Sequence, residues 1–521
     1  MFPQKKYQEL VAEVIYQQNE GQLDEALLHH FSRLQSNPSD PYVYFFLGVA
    51  NFYLGKYQRA IRRLSEALTL DSNCSLSYYF MSLAFEAQGL NIRALDLCDA
   101  AIAINDSNQN FWILKGRLQY KLKLFDQSLC SFNAAIKLDP SNSEANNGLG
   151  VVLRYLNRPS EAIEYCDRAI ALKSNFSAAY YNRGNAHKDK KSLLLAHRDY
   201  QKAIDLAPNN TQALLGHGLL YLLEGEYSKG WGLYEWRYKT SEHSHKYRNF
   251  NEPRLSRDVS LQGKRVLVCS EQGLGDVIQF CRYIPMMIEA GAVVLLESPE
   301  ALSSILLSLS PLLQIIQKGA ELPAFDFYIQ IASLPFVFGT LLDSIPAKKS
   351  YLSSSVDHLN IWKCKLGASN KFKVGLVWSG SATHDNDLNR SISLNTLRDL
   401  FMLPIEFHSL QVDYRSGDLD RLTAEFSVID HSKDISTFAD TAALIECLDL
   451  VIGVDTSVVH LAGALGKPVW IMLAFMPDFR WMLDRQDSPW YPTAKLFRQQ
   501  AIGDWEPVIN KLISDLKFHV A

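Results

Sequence analysis

Residues 143–176 read SEANNGLGVVLRYLNRPSEAIEYCDRAIALKSNF, and residues 177–210 read SAAYYNRGNAHKDKKSLLLAHRDYQKAIDLAPNN. Laid over one another, they match Gly150 to Gly184, Ala162 to Ala196 and Ala169 to Ala203. The register extends outward at a spacing of 34 residues: Gly48, Gly116 and Gly218 share it, and Ser82 fills the remaining slot. Twelve residues after these positions come Ala60, Ala94, Ser128, Ala162, Ala196 and Gly230. Seven further on sit Ala67, Ala101, Ala135, Ala169 and Ala203. Pro140 and Pro208 close two copies, and an earlier copy keeps Gly21, Ala26 and Pro38.

This period, with small residues in these slots, is the signature of tetratricopeptide (TPR) repeats. Each repeat is a helix pair, and the small residues let its two helices approach closely. No single pair buries its apolar face, so neighbours stack into a superhelix. About seven copies cover roughly residues 7–239.

Such arrays present a concave surface built mainly from the first helix of each repeat. Positions 2, 5, 9 and 12 of that helix form one stripe. The stripe includes Tyr42, Phe45, Phe52, Tyr79, Arg117, Tyr120, Asn147, Arg154, Tyr181, Asn185 and Lys188. It predicts an aromatic groove that turns basic towards the second half and takes a polypeptide with acidic or polar side chains. The alternative is that part of the stripe only packs between helices.

Composition sets limits. The chain is 47% hydrophobic and 21% charged, with a formal net charge of −4. These are ordinary globular values and give no pointer to nucleic acid or to an anionic membrane surface. The eight cysteines show no metal-binding spacing, which suits small buried hydrophobes in a reducing compartment. The start MFPQKKYQEL lacks a signal-peptide core, and no apolar run approaches the roughly 20 residues of a membrane span. Cytoplasmic residence is the expectation.

The second half alternates strands with helices. Apolar runs predict strands at 265–269, 292–296, 326–331, 372–378, 405–410, 450–454 and 468–472, with helices after the first and sixth. Two such runs imply two Rossmann-like lobes with parallel sheets, and ligands at the carboxyl ends of the strands, in the cleft between the lobes.

Three loops at such ends carry candidate chemistry. After the first strand come Gln272, Gly273, Leu274, Gly275 and Asp276. Asp276 reads either as a helix N-cap or as a general base for an acceptor hydroxyl. The full dinucleotide pattern is missing, so NAD is not indicated. Asp455, Thr456, Ser457 and His460 lie at a strand-to-helix junction, where free N–H groups and a positive dipole end suit phosphate. A cap and a surface histidine are the plainer reading there. Ser379, Gly380 and Ser381, followed by His384, Asp387, Asn389, Arg390 and Ser391, read as an anion cradle with a guanidinium for a departing diphosphate, or as a polar surface loop. The pair Asp418 and Asp420 reads as a solvated turn rather than a metal-binding DxD.

The stretches Glu271–Asp276, Gly375–Trp378, Asp455–Pro468, Arg480–Arg485, Asp487–Pro492 and Gly503–Trp505, with the junction Gly230–Arg237, together resemble bacterial TPR proteins carrying a heptosyltransferase-like domain. The resemblance implies an N-terminal TPR α-solenoid followed by a GT-B domain of two Rossmann-like lobes: TPR over 1–239, a connector over 240–262, an acceptor-side lobe over 263–370 and a nucleotide-sugar lobe over 371–521. It implies a glycosyltransferase that needs no metal and no cofactor beyond a nucleotide-sugar donor. Asp276 matches the family's base. Asp455, Thr456, Ser457 and His460 match the segment that holds nucleotide phosphates and ribose. Ser379, Gly380 and Arg390 join that side, and Gln272, Gly273 and Gly275 the acceptor side. The plan is also similar to protein O-GlcNAc transferase, but the asparagine-ladder slots read Phe46, Phe80, Leu114, Gly148, Asn182 and Gly216. Ser457 replaces a glycine common in heptosyltransferases. The expected acceptor is a serine or threonine of a protein recruited by the TPR arm. The alternatives are a glycan or lipid-linked acceptor, and a non-catalytic scaffold.

Overall fold

A computed structural model describes residues 2–240 and 247–520. Residues 241–246 of the expected connector lie outside the described residues, as do Met1 and Ala521. The chain divides into two compact units, Met1–Asn210 and Thr211–Ala521.

The first unit is a run of helix pairs: Phe2–Asn19 with Leu23–Ser36, Pro41–Tyr53 with Tyr57–Leu70, Ser75–Ala87 with Asn91–Ile104, Gln109–Lys121 with Phe125–Leu138, Ser143–Tyr155 with Pro159–Leu172, and Ser177–Asp189 with Leu193–Leu206. The small slots do what their size predicts. A Cβ on Gly48 would lie 2.6 Å from Leu64 Cγ, and one on Gly150 would lie 2.7 Å from Cys166 Sγ. Ser82 fits because its hydroxyl donates to the Ala94 carbonyl at 2.6 Å. The turn within each pair needs a left-handed residue. Glycine supplies it at Gly55 (φ 70°) and Gly89 (φ 76°), whereas Lys123 (φ 61°), Asn157 (φ 58°) and Lys191 (φ 57°) adopt it with a side chain.

Within this unit the predicted stripe has mixed fates. Phe45 is fully buried, and Asn185 is buried and accepts from Tyr200 Oη at 2.7 Å. Both pack inside the array rather than line a groove. Arg117 forks onto Glu86 at 2.8 and 2.7 Å, and Lys121 shares that carboxylate at 2.7 Å. Arg154 reaches Asp189 at 3.1 Å, which also lies 4.0 Å from Lys188. The predicted basic end is therefore charge-compensated. Tyr42, Tyr79, Tyr120 and Tyr181 are half-buried.

The second unit opens with a further helix pair, Thr211–Glu224 and Tyr227–Tyr234. The unit boundary thus falls at Asn210, one pair before the expected 239. Aromatic packing explains this. Trp231 lies edge-on to Phe280, Phe479 and Trp490 with centroids 6.0–6.5 Å apart, and its Nε1 donates to the Thr340 carbonyl at 3.0 Å. Trp490 Nε1 donates to Tyr227 Oη at 3.1 Å.

Two parallel sheets follow. The first contains β1 (Arg265–Cys269), β2 (Val293–Ser298), β3 (Gln314–Gln317) and β4 (Phe327–Gln330), in the order β3-β2-β1-β4. The second contains β5 (Lys373–Val377), β6 (Glu406–Ser409), β7 (Val428–Asp430), β8 (Leu450–Val454), β9 (Val469–Leu473) and β10 (Ala494–Arg498), in the order β10-β9-β8-β5-β6-β7. The second is the doubly wound Rossmann order, and its direction reverses between β5 and β8. Trp378, Ile452, Met472 and Leu512 belong to the apolar core on one side of it. No helix among the described residues is long and apolar enough to cross a membrane. All eight cysteines are free; Cys130 and Cys364 are exposed rather than buried.

Candidate functional site

The reversal point between β5 and β8 places two of the predicted loops side by side, since Val377 pairs with Gly453. Arg390 bridges them, Nη1 donating to the Asp455 carbonyl at 2.9 Å. Its guanidinium lies on Gly380, where a Cβ would be 2.3 Å from Nη2. Only glycine permits that approach. Gln411 staples the same turn, accepting from Ser379 N at 3.2 Å and donating to the Ser379 carbonyl at 3.0 Å.

Thr456 is the N-cap of the helix Ser457–Ala464, so Asp455 is not the cap the plainer reading required. The Asp455 carboxylate instead lies 3.6 Å from His460 Nε2. His460 is buried, shares a 2.8 Å hydrogen bond from Nδ1 to Tyr491 Oη, and stacks on Trp481. Burial works to raise the Asp455 carboxyl, but the His460 imidazole, with Trp481 and Arg480, holds the group below the ordinary carboxylate range. Ser379 Oγ, Arg390 Nε and Thr456 Oγ1 are buried polar atoms without a hydrogen-bond partner. Such atoms are uncommon in folded proteins, and these three belong to two adjoining loops at one strand end.

From the first lobe comes the loop after β1. Gln272 takes a left-handed φ of 57° and donates to Tyr234 Oη at 2.9 Å. Gly273 caps the helix Leu274–Phe280, and Asp276 Oδ2 accepts from its N–H at 2.8 Å. A Cβ on Gly275 would lie 3.0 Å from His460 Cδ2 and 3.6 Å from Ser457 Cα. The first glycine loop thus sits directly against the second lobe's strand-to-helix junction. Asp276 Oδ1 accepts from Arg480 Nη2. Burial raises the Asp276 carboxyl above its ordinary value against the opposing pull of Arg480.

Asp276 is therefore not the N-cap itself: Gly273 holds that position, and Asp276, three residues on, accepts from its N–H with one oxygen while the other faces Arg480. The pair Asp418 and Asp420 begins the helix Asp418–Glu425 rather than forming a turn, with Asp418 Oδ2 accepting from Trp378 Nε1 at 3.0 Å. Sequence reasoning missed Arg480, Gln279, Gln411 and Tyr491 as site residues. Arg480 was the most accessible of them. It lies in the loop that leaves the carboxyl end of β9, the side on which ligands bind.

A TPR array ahead of an α/β unit with two parallel sheets is the arrangement expected of a glycosyltransferase with a TPR arm. Comparison with known proteins agrees. The tetratricopeptide repeat models match residues 47–109, 113–177 and 177–210. The glycosyltransferase family 9 (heptosyltransferase) model matches residues 436–473, which contain Asp455, Thr456, Ser457 and His460. Protein FlbA of Caulobacter vibrioides is 24% identical, with 89% of this chain and 88% of that protein covered. A DnaJ homolog subfamily C member 7 homolog of Dictyostelium discoideum is 25% identical over 34% of this chain and 30% of its own length. Among solved structures, the TPR protein YrrB aligns at 22% identity and a TM-score of 0.31, covering 36% of this chain and 95% of its own. The family-model matches, together with FlbA, support a glycosyltransferase with a TPR arm.

Proposed function

We propose that this chain transfers a sugar from a nucleotide-sugar donor to a serine or threonine hydroxyl of a protein held by its TPR arm, by GT-B chemistry without a metal. The observation that carries the reading is the contact of Gly275 with His460 and Ser457, which sets Asp276 beside the junction suited to a diphosphate.

In this reading the acceptor oxygen attacks the anomeric carbon and gives its proton to Asp276. The bond from that carbon to the diphosphate breaks, and the leaving group keeps the electron pair. The N–H groups at the start of Ser457–Ala464, the Thr456 and Ser457 hydroxyls and Arg390 take up the charge. The half-buried tyrosines of the array supply apolar contacts for an acceptor chain.

The test is release of nucleoside diphosphate from UDP-, ADP- and GDP-sugars, and of CMP from CMP-sugars. It is run with a serine- and threonine-rich protein fraction and, separately, with free glycans. Protein-dependent release that falls about 10²–10⁴-fold in Asp276→Asn supports the reading. Release with glycans alone replaces the acceptor, and unchanged turnover in Asp276→Asn removes Asp276 from the base role.

A further inference from the structure

The proposed chemistry leaves Arg480 without a part, although it is the cation that touches the base. It is buried, at 7% exposure. Its guanidinium commits all three nitrogens: Nη2 on Asp276 and Nε on Gln279 of the first lobe, and Nη1 on Asp478 of its own loop at 2.8 Å. The loop that carries it is rigidly built. Arg498 donates to the carbonyls of Trp481 at 2.5 Å, Met482 at 2.9 Å and Arg485 at 2.8 Å. Met482 and Asp484 both hold left-handed φ values of 54°. Trp481, the next residue, stacks on His460 at a centroid distance of 5.2 Å. Arg480 therefore stands between the carboxylate of the first lobe and the junction of the second.

Burial raises the Asp276 carboxyl, and Arg480 works against that rise by stabilising the charged form. Loosening the pair therefore makes Asp276 a stronger proton acceptor. A diphosphate is the group whose charge and oxygen geometry compete best for a guanidinium fork.

Resting on the nucleotide-sugar reading above, we propose that Arg480 is shared between Asp276 and the donor's diphosphate. Donor binding then draws Arg480 off the carboxylate and frees Asp276 to act as base. The donor thus binds productively before the acceptor hydroxyl is deprotonated, and the base is not exposed in an enzyme without donor.

The sharing has an unusual consequence. Removing the carboxylate charge leaves Arg480 wholly available to phosphate, so Asp276→Asn tightens diphosphate binding while abolishing turnover. The experiment is calorimetric titration of the full chain with UDP, ADP and GDP, repeated on Arg480→Gln, Asp276→Asn and the double variant. The nucleotide that binds the wild type is expected to bind Arg480→Gln about tenfold more weakly, the loss of one charge-assisted contact. It is expected to bind Asp276→Asn several-fold more tightly, and that gain disappears in the double variant.

Equal affinity of wild type and Arg480→Gln overturns the proposal and leaves the donor reading standing. A gain that survives in the double variant also overturns it, since it then reflects simple repulsion between Asp276 and phosphate. Failure of the wild type to bind any of the three overturns the diphosphate donor on which the proposal rests. If Arg480→Gln does not fold by circular dichroism, Arg480→Lys carries the same cycle. It keeps the charge and loses the fork, and a gain from Asp276→Asn as large as in the wild-type background counts against the proposal.

Discussion

Replacing Glu271 with alanine tests how the first glycine loop is held. Glu271 is buried beside Arg237, with side-chain exposures of 4% and 1%. It accepts from Arg237 Nη2 at 2.7 Å and Nε at 3.1 Å, from Tyr247 Oη at 2.9 Å and from Ala332 N at 3.2 Å. Glu235 supplies Arg237 with a second carboxylate at 2.8 Å, and Ser333 accepts from its Nη2 at 2.6 Å. Glu271→Ala leaves a buried guanidinium half-compensated and two donors unpaired. Breaking a buried pair from one side costs about 3–5 kcal/mol. For a unit of this size each kcal/mol lowers the melting temperature by about 2 °C, so the fall is about 6–10 °C. Scanning calorimetry of the full chain reads it. Replacing both partners, as in Arg237→Met with Glu271→Leu, is expected to cost less than Glu271→Ala alone. A transition within about 1 °C of wild type in Glu271→Ala would refute the idea that this pair anchors the loop leading to Asp276.

Other outcomes follow from the same structure. His408 and His431 share a 3.0 Å contact, and burial lowers both, His431 to about 4 from an ordinary 6.5. The unfolded chain therefore binds more protons between those values, so stability is full above about pH 6.5 and falls by about 3 kcal/mol on the way to pH 4; His431→Gln flattens that slope in denaturant titrations at stepped pH. Lys123→Gly and Lys191→Gly relieve left-handed strain in the repeat turns and each stabilise the array by about 0.5–1 kcal/mol in urea unfolding. Gly150→Ala drives a methyl onto Cys166 and costs about 1–3 kcal/mol by the same assay. Arg117→Ala, Arg154→Ala and Lys188→Ala together weaken capture of the acceptor protein identified by the release assay; unchanged binding removes the basic end of the stripe from recognition.

Much of the fold was legible because its signals are local. The repeat register needs only small residues at a fixed interval. The run Leu-Val-Ile-Gly-Val predicts β8 to the residue, because a strand covered on both faces is apolar throughout. Three strands left no such trace. β3 carries two isoleucines between glutamines at a sheet edge, β7 is three residues long, and β10 mixes Lys495 and Arg498 into its apolar positions. The helix expected after the first strand breaks at Cys281–Tyr283, where Pro285 denies the next turn its hydrogen bond. The site was half legible. Asp276, Asp455 and His460 stand at strand ends that local pattern reveals. The bond from Asp276 to Arg480 spans 204 residues and has no local signature. The seventh helix pair kept the repeat's register, yet its tryptophan and tyrosine assign it to the second unit, a choice made by packing partners remote in sequence.

In the proposed function, the second lobe holds a nucleotide at the junction of β8 and its following helix. Calorimetric titration with UDP, ADP, GDP and CMP, on the full chain and on Asp455→Ala, tests it most directly. One nucleotide is expected to bind, and the substitution to weaken it. Binding of none of the four would contradict it and point to a scaffold whose glycosyltransferase fold no longer serves catalysis.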